Sequence, residues 1–291
     1  MKIGIIVAMD KELQQLQTLF DDGNVRVEKC GIGKVNAALG AQKMINEFHP
    51  DVLISSGCAG GNGDDVNVQD VVVSTELCYH DVYCGLAIDS TTQYGQVQGL
   101  PARFKADPFL LRKSLESVNS VEFATAEGNE EGRMKNEEFA TAEGVKATSA
   151  GANSSLFTLH SSLNAAVANS TLSTLNSKLK DAAVANSQFS TLNSQLTQKI
   201  IPGLIVTGDW FVDSKEKMRE IVGHFPEAKA VDMESCAIAQ TCYINKVPFI
   251  SFRIISDIPL RDTNASQYHN FWENMAERSF QMTKRFVESL L

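Results

Sequence analysis

Short apolar segments rich in β-branched residues alternate with amphipathic segments along most of the chain, and this alternation restricts the fold more than any other feature. Strands are predicted at residues 2–7, 25–29, 52–54, 70–74, 203–207, 229–232 and 249–256. Helices are predicted at 11–20, 35–48, 108–118, 214–222 and 234–245, followed by one long closing helix with Tyr268, Phe271, Met275, Met282 and Phe286 on one side. Such alternation indicates an α/β fold with a mainly parallel sheet covered on both faces.

One stretch, at about 119–199, departs from this pattern and repeats itself. The sequence at 122–128 recurs at 138–144, that at 165–170 recurs at 182–187, and that at 173–177 recurs at 190–194. Two short copies are too few for a stable solenoid, and connections this long are usually functional or disordered. We therefore predict a single domain, residues 1–291, interrupted by a mobile repetitive insertion; a partner-binding module is the less favoured alternative.

Charge and cysteine spacing exclude several classes of partner. The formal net charge is −9 and no lysine- or arginine-rich run occurs, so neither nucleic acid nor an anionic membrane is an expected partner. The apolar run at the N-terminus is too short for a signal peptide, and no stretch approaches the roughly 18 apolar residues of a membrane helix. The six cysteines lack zinc spacing, so no metal is expected and a cytoplasmic location is predicted.

Three carboxylates stand where predicted strands or loops meet helices. Glu12 follows the first strand, Glu234 begins a helix, and Asp257 ends the strand at 249–256. The carboxyl edge of a parallel sheet is the usual place for an active site. Taken singly, each residue is also explained as a helix cap or a solvated residue of a first helical turn.

Several motifs, in order along the chain, resemble the 5′-methylthioadenosine/S-adenosylhomocysteine nucleosidases. The matching segments are Ala8-Met9-Asp10-Lys11-Glu12, Gly31-Ile32-Gly33-Lys34-Val35-Asn36-Ala37-Ala38, Ser56-Gly57-Cys58-Ala59-Gly60-Gly61, Tyr79-His80-Asp81, Phe104-Lys105-Ala106-Asp107, Gly203-Leu204-Ile205-Val206-Thr207-Gly208-Asp209, Val231-Asp232-Met233-Glu234 and Arg253-Ile254-Ile255-Ser256-Asp257. The resemblance implies the three-layer nucleoside phosphorylase fold, with a central mixed, mainly parallel sheet flanked by helices. It also implies a homodimer, no cofactor, and hydrolysis of adenine nucleosides to adenine and a 5-substituted ribose.

On the adenine side, the resemblance implies that Asp257 is the general acid that protonates N7 and that Ser256 orients it. Phe211 would stack on the base and the Val212 backbone would read its edge. On the ribose side, Glu12 would hold the attacking water, Glu234 would bind the hydroxyl groups, Met233 would pack on the sugar, and Arg253 would lie near the carboxylate and the water. The 5′ pocket would be lined by Met9, Ile32 and Tyr268.

The loop at Cys58, Ala59 and Gly60 is implied to contact the substrate through its backbone, although the family often has serine at the first of these positions. The family also carries a longer strand pair where this chain has only residues 21–30. The insertion enters just before Gly203. Neither change removes a proposed catalytic residue.

The chemistry needs these residue types for reasons independent of the resemblance. Cleavage of a ribosyl–adenine bond builds positive charge on the sugar and negative charge on the leaving base. An acid at the base and a carboxylate that positions water at the sugar meet both needs. For Asp257 to donate a proton near neutral pH, burial must raise its pKa.

Three alternatives remain open from the sequence. A phosphorylase of the same fold needs a cationic phosphate cradle, but the loop at 8–13 has only Lys11 and the loop at 55–61 has no basic residue. A hydrolase for another nucleoside, such as futalosine, would keep the acid and change the 5′ pocket. A degenerate, non-catalytic nucleoside-binding protein would bind without turnover, which the retained Glu12, Glu234 and Asp257 disfavour.

Overall fold

Eight strands form one mixed sheet in the part of the chain that the computed structural model describes, which is residues 1–20, 23–83, 92–117, 199–261, 264–274 and 280–291. The strands are β1 (Ile3–Val7), β2 (Val25–Lys29), β3 (Val52–Gly61), β4 (Val71–Tyr79), β5 (Phe104–Lys105), β6 (Ile200–Thr207), β7 (Ala228–Asp232) and β8 (Phe249–Asp257). The helices are α1 (Asp10–Gln17), α2 (Lys34–Phe48), α3 (108–117), α4 (Lys215–His224), α5 (Ser235–Asn245), α6 (Asn264–Asn274) and α7 (Gln281–Glu288). Apart from Lys199, the predicted insertion lies outside the described residues.

The predicted mixed, mainly parallel sheet is confirmed. Parallel pairs join β1 to β2, β1 to β3, β3 to β8, β4 to β6 and β6 to β7. Antiparallel pairs join β3 to β7, β4 to β5 and β4 to β8. Because β3 pairs with both β7 and β8, the strands β3, β8, β4, β6 and β7 form a closed ring.

Helices cover both faces of the sheet, so the three-layer α/β architecture is confirmed as well. Neighbouring residues of β3 divide between the two faces: Leu53 joins the apolar cluster that contains α2 and α5, and Ile54 joins the cluster that contains α6 and α7. Every residue of β8 is buried, as expected for a strand covered on both sides. In the part of the chain that the structure describes, none of the helices has the length and apolarity of a membrane span.

The predicted long closing helix is wrong. Phe280 lies in a turn before α7, so α6 and α7 are separate helices, and Met275 lies outside the described residues. Phe271 and Phe286 would be about 22 Å apart along one straight helix. In the folded chain both are fully buried in the same cluster as Phe280, with the Phe286 ring 4.9 Å from that of Phe252. Burial of all these aromatic rings therefore favours the break.

Two strands reach further than the apolar pattern predicts, and both extensions bear on the site. The segment predicted at 70–74 is β4, which continues to Tyr79 through the half-buried Thr75 and Glu76. The register against β6 shifts between Ser74 and Glu76, which interrupts the apolar run seen in the sequence. β8 likewise includes Asp257, so this carboxylate belongs to the last residue of the strand.

Candidate active site

A cavity of about 270 Å³ opens where the carboxyl ends of β1, β3, β6, β7 and β8 meet. Such an edge of an α/β sheet is where ligands usually bind. The cavity is lined by Ala8, Met9, Glu12, Ile32, Cys58, Ala59, Gly60, Trp210, Phe211, Val212, Val231, Asp232, Met233, Glu234, Ser256, Asp257 and Tyr268. All the predicted site residues except Arg253 are therefore brought together in one wall.

Three backbone amides hold the Glu12 side chain in this wall. Its Oε2 accepts hydrogen bonds from the amides of Ala8 (2.8 Å) and Met9 (3.0 Å), and its Oε1 accepts one from the amide of Cys58 (3.0 Å). Burial raises the pKa of the Glu12 carboxyl above its ordinary value, although Arg253 and the three amides oppose the rise. A Cβ at Gly57 would approach Oε1 to 2.7 Å, so the carboxylate needs glycine there.

Glu234 occupies the position immediately before α5 and faces the glycine turn. The Gly33 amide donates a hydrogen bond of 2.9 Å to its Oε1. Burial raises the pKa of Glu234 to about 7, with Asp232 adding to the rise and Arg253 opposing it. This carboxylate therefore changes its charge near neutral pH.

Asp257 ends β8 with few partners of its own. The Ser256 hydroxyl donates a hydrogen bond of 2.7 Å to Oδ1 and also lies 3.3 Å from the Ala59 carbonyl oxygen. Burial raises the pKa of Asp257 to about 6, and the Ser256 hydrogen bond only partly offsets this. A protonated fraction near neutral pH is what a general acid requires.

Arg253, the predicted site residue outside the cavity wall, lies buried behind it. Its Nε donates to Asp232 Oδ2 at 2.5 Å and its Nη2 donates to Ser55 Oγ at 2.9 Å. Asp232 also accepts from the Thr207 hydroxyl at 2.5 Å, and from both the hydroxyl and the amide of Ser235. A Cβ at Gly57 would lie 3.5 Å from Arg253 Nη1, which places the guanidinium beside the carboxylate of Glu12. Arg253 therefore holds Asp232 and Ser55 in place from behind the cavity wall.

Another part of the cavity wall is aromatic and apolar. The Phe211 and Tyr268 rings meet edge to face with centroids 5.5 Å apart, and the Tyr268 hydroxyl lies 3.8 Å from the sulfur of Met9. Ile32 and Phe211 are exposed although they line the cavity. An apolar ring system or thioether would find matching surface here.

Sequence reasoning missed four lining residues: Ala8, Trp210, Val231 and Asp232. Asp232 carried a signal, since it is a carboxylate at a strand end, but it stood beside Glu234 and was treated only as part of a motif. Trp210 adjoins the predicted stacking residue Phe211, and its ring lies 4.3 Å from Lys217 Nζ. Ala8 and Val231 are ordinary apolar residues at strand ends and carried no signal.

The charge of the wall is one-sided. Its titratable carboxyl groups belong to Glu12, Asp232, Glu234 and Asp257, and none of the described lining residues is a lysine, arginine or histidine. Lys11, the basic residue of the first loop, places its ammonium 5.3 Å from the Trp272 ring. Within the described residues, no group of His, Cys, Asp and Glu side chains could hold a metal ion.

The closed mixed sheet and its carboxyl-end cavity are those of the phosphorylase superfamily, whose family model matches residues 17–166 and 164–291. The 5′-methylthioadenosine/S-adenosylhomocysteine nucleosidase of an Exiguobacterium species is 31% identical over 99% of this chain and 100% of its own length. The chain belongs to this nucleosidase family within the superfamily.

Solved structures agree with this assignment. The Neisseria meningitidis nucleosidase in complex with methylthio-immucillin-A is 26% identical, with a TM-score of 0.65 over 99% of each chain. The futalosine hydrolase of Helicobacter pylori, at 21% identity, has a TM-score of 0.66 over 99% of this chain and 97% of its own, and shares the fold.

Proposed function

We propose that this protein hydrolyses the N-glycosidic bond of 5′-methylthioadenosine and S-adenosylhomocysteine. We propose that it hydrolyses the same bond in 5′-deoxyadenosine. The products are adenine and the 5-substituted ribose, as in methionine salvage and the recycling of S-adenosylmethionine by-products. No cofactor takes part, because the reaction needs only an acid, a positioned water and charge stabilisation.

One observation carries the proposal: two buried carboxyl groups from different elements, Glu12 of α1 and Asp257 of β8, line the same cavity beside strand β3. Glu12 contacts β3 at Gly57, and Asp257 approaches it at Gly60. In glycosidases that use water directly, two separate carboxyl groups divide the work: one protonates the leaving group and the other activates the attacking water.

Each carboxylate has a distinct task in this reaction. Asp257, oriented by Ser256, donates its proton to N7 of adenine as the glycosidic bond breaks. Glu12 accepts a proton from water as the water attacks the ribosyl cation. Glu234 binds the ribose hydroxyls and stabilises the developing positive charge, while Met233 packs against the sugar.

The remaining wall residues bind and orient the substrate. Phe211 stacks on adenine and the Val212 backbone reads its edge. The backbone of Cys58, Ala59 and Gly60 contacts the ligand, and Arg253 steadies Glu12. The 5′ substituent is placed against Met9, Ile32 and Tyr268.

Water rather than phosphate is the proposed nucleophile. A phosphate dianion needs cationic groups, usually arginines with free donors. Arg253 has its donors directed to Asp232, Ser55 and the Phe252 carbonyl, behind the wall. The described lining offers four carboxyl groups and no lysine, arginine or histidine to bind the anion. This charge pattern disfavours the phosphorylase alternative.

A homodimer is proposed from the outer face of α2. Val35 and Leu39, one turn apart on α2, are 70% and 65% exposed, and Ile32 in the turn before the helix is 51% exposed at the cavity rim. Tyr243 and Ile244 are also exposed, at the end of the neighbouring helix α5. Exposed apolar side chains on two neighbouring helices are typical of an interface. We expect light scattering to give twice the chain mass, and Leu39→Glu to give a monomer.

We further propose a cytoplasmic location. The five cysteines that the structure describes are free thiols, which fits a reducing compartment. The proposed substrates are also products of intracellular metabolism.

The deciding experiment measures adenine release from methylthioadenosine by the purified protein, in phosphate-free buffer and again with added phosphate. Release without phosphate, lost in Asp257→Asn and retained in the exposed control Asp213→Asn, supports the proposal. Release only with phosphate would make the protein a phosphorylase. No release in either buffer, from a folded sample that binds adenine, would make it a binding protein.

A further inference from the structure

Three charged side chains outside the cavity join two of the loops that build its wall. The Lys34 ammonium lies 2.8 and 2.7 Å from the two carboxylate oxygens of Asp81, and 3.7 Å from Oδ2 of Asp209. The Asp209 amide donates to Asp81 Oδ2 at 2.8 Å. Lys34, Asp81 and Asp209, here called the Lys34 cluster, thus share one hydrogen-bonded network.

The cluster connects the segments that present substrate-facing residues. Lys34 begins α2, directly after the turn that carries Ile32 and the Gly33 amide. Asp209 stands directly before Trp210 and Phe211 in the loop after β6. The Lys34 amide donates to Asp209 Oδ1 at 2.7 Å, so the start of α2 binds this loop through both backbone and side chain.

The packing beneath the loop leaves it little freedom. A Cβ at Gly208 would lie 2.4 Å from the His80 ring and 2.8 Å from Asp81 Cγ. His80 is buried, and its Nε2 has no hydrogen-bond partner in the structure. The side chains of Lys34 and Asp81 are only 23% and 28% exposed, so solvent screens their attraction less than that of an ordinary surface pair.

We propose that the Lys34 cluster is a positioning device that holds the loop after β6 in the conformation that binds adenine. The inference rests on the proposed function, since it assigns the base to this loop. None of the three residues lines the cavity, so they act through Ile32, Phe211 and Val212 rather than on the substrate. Loss of the cluster lowers affinity for the base and leaves the acid at Asp257 in place.

Steady-state kinetics separate this role from a catalytic one. For Lys34→Met we expect KM for methylthioadenosine to rise about tenfold or more while kcat changes less than about threefold. Lys34→Arg, which keeps the charge, restores most of the loss. Lys43→Met, on the exposed side of the same helix, leaves both constants unchanged. Equal loss of kcat and kcat/KM in Lys34→Met would overturn the proposal.

A second readout does not depend on turnover. The chain has two tryptophans, so Trp272→Phe leaves Trp210 as the only one, directly beside Asp209. In that background, we expect acrylamide to quench Trp210 fluorescence about twofold more strongly in Lys34→Met than in Lys43→Met. Adenine affinity, measured by calorimetry, should fall in parallel. Unchanged quenching and adenine affinity in a folded Lys34→Met protein would refute the cluster's role.

These measurements also distinguish the two ways of failing. If the parent protein binds adenine but releases none from methylthioadenosine, the proposed function fails while the quenching and binding data still decide the role of the cluster. Asp209→Asn, which keeps an acceptor for the Lys34 amide, should weaken adenine binding less than Asp209→Ala. The reverse order, or equality, would contradict the proposed connection.

Discussion

The amide of Gly33 and the carboxylate of Glu234 form a 2.9 Å hydrogen bond between residues that are 201 positions apart in sequence. The bond ties the turn before α2 to the residue before α5. Since Gly33 contributes only its backbone, the turn conformation decides whether the amide points at Glu234. The geometry of one glycine therefore bears on the carboxylate proposed to hold ribose.

Replacement of Gly33 should lower both the free energy of unfolding and the affinity for the nucleoside. Gly33 has φ +92°, and an added Cβ would lie 3.0 Å from Asp209 Oδ1. For Gly33→Ala we expect the free energy of unfolding to fall by roughly 1–3 kcal/mol, the usual cost of such a backbone conformation for other residues. Urea denaturation measures it. Gly23→Ala, where a Cβ meets nothing within 4 Å, is the matched control; equal effects at the two sites would remove the argument.

Affinity for the nucleoside should depend on pH through Glu234. Its pKa is raised to about 7, so the carboxylate that accepts ribose hydroxyls is present above that pH and is lost as pH falls through it. We expect Kd of a non-hydrolysable adenine nucleoside to rise from pH 8 to pH 5.5, by up to about tenfold per unit. Adenine, which has no ribose, should show a flatter profile, as should Glu234→Gln. Parallel profiles for adenine and nucleoside would argue against this assignment.

The alkaline limb of the rate profile should belong to Asp257. Its pKa is raised to about 6, so the protonated acid is lost as pH rises above 6. Above about pH 7, where Glu234 is already ionised, the logarithm of kcat/KM should therefore decline by about one per pH unit. A profile flat up to pH 9 would exclude Asp257 as the essential acid in the free enzyme.

The same carboxyl group should reduce stability at alkaline pH. Its folded pKa of about 6 exceeds the ordinary value of 3.8, so the folded state binds the proton more tightly than the unfolded state. This contribution is full below about pH 4 and is lost as pH rises through 6. Asp257→Asn should therefore unfold with about 1–3 kcal/mol more free energy at pH 8, yet gain little at pH 4. A stability change independent of pH would contradict the shift.

The buried pair of Asp232 and Arg253 should behave as a unit. Removal of either partner leaves a buried charge uncompensated, which typically costs about 3–5 kcal/mol. We expect Asp232→Asn and Arg253→Met each to be strongly destabilising, and the double variant to be about 1–3 kcal/mol more stable than the sum predicts. Chemical denaturation of all four proteins measures the coupling. Strict additivity would mean that the two groups do not depend on each other.

The Cys58 thiol should react slowly although it lines the cavity. Burial raises its pKa well above the ordinary value, and the neighbouring Glu12 adds to the rise, so the nucleophilic thiolate is scarce at pH 8. Mass spectrometry after brief iodoacetamide treatment should find Cys58 unlabelled in the native protein and labelled in guanidinium. Rapid labelling of the folded protein would show that the thiol is activated.

The sequence predicted the α/β class and thirteen of the seventeen lining residues for identifiable reasons. Buried strands appear as β-branched runs, and motif residues at strand ends converge because parallel strands end at one edge of the sheet. What it did not predict depends on contacts between distant segments. The break at Phe280 reflects packing against Phe252's cluster, and the end of β4 at Tyr79 depends on a register shift that the apolar pattern conceals. Arg253 lies behind the wall because it pairs with Asp232. The other hydrogen-bond partners of Asp232 come from several elements, which the sequence does not reveal.

The closed ring of strands also bears on whether copies of the protein can add to one another through their strand edges in concentrated solution. Among the described strands, only β2 and β5 have a single neighbour. β5 has two residues, and β2 carries the charged side chains of Arg26, Glu28 and Lys29. Short or charged borders resist edge-to-edge strand addition. The described sheet therefore offers little template for edge-to-edge strand addition while its ring of strands stays closed.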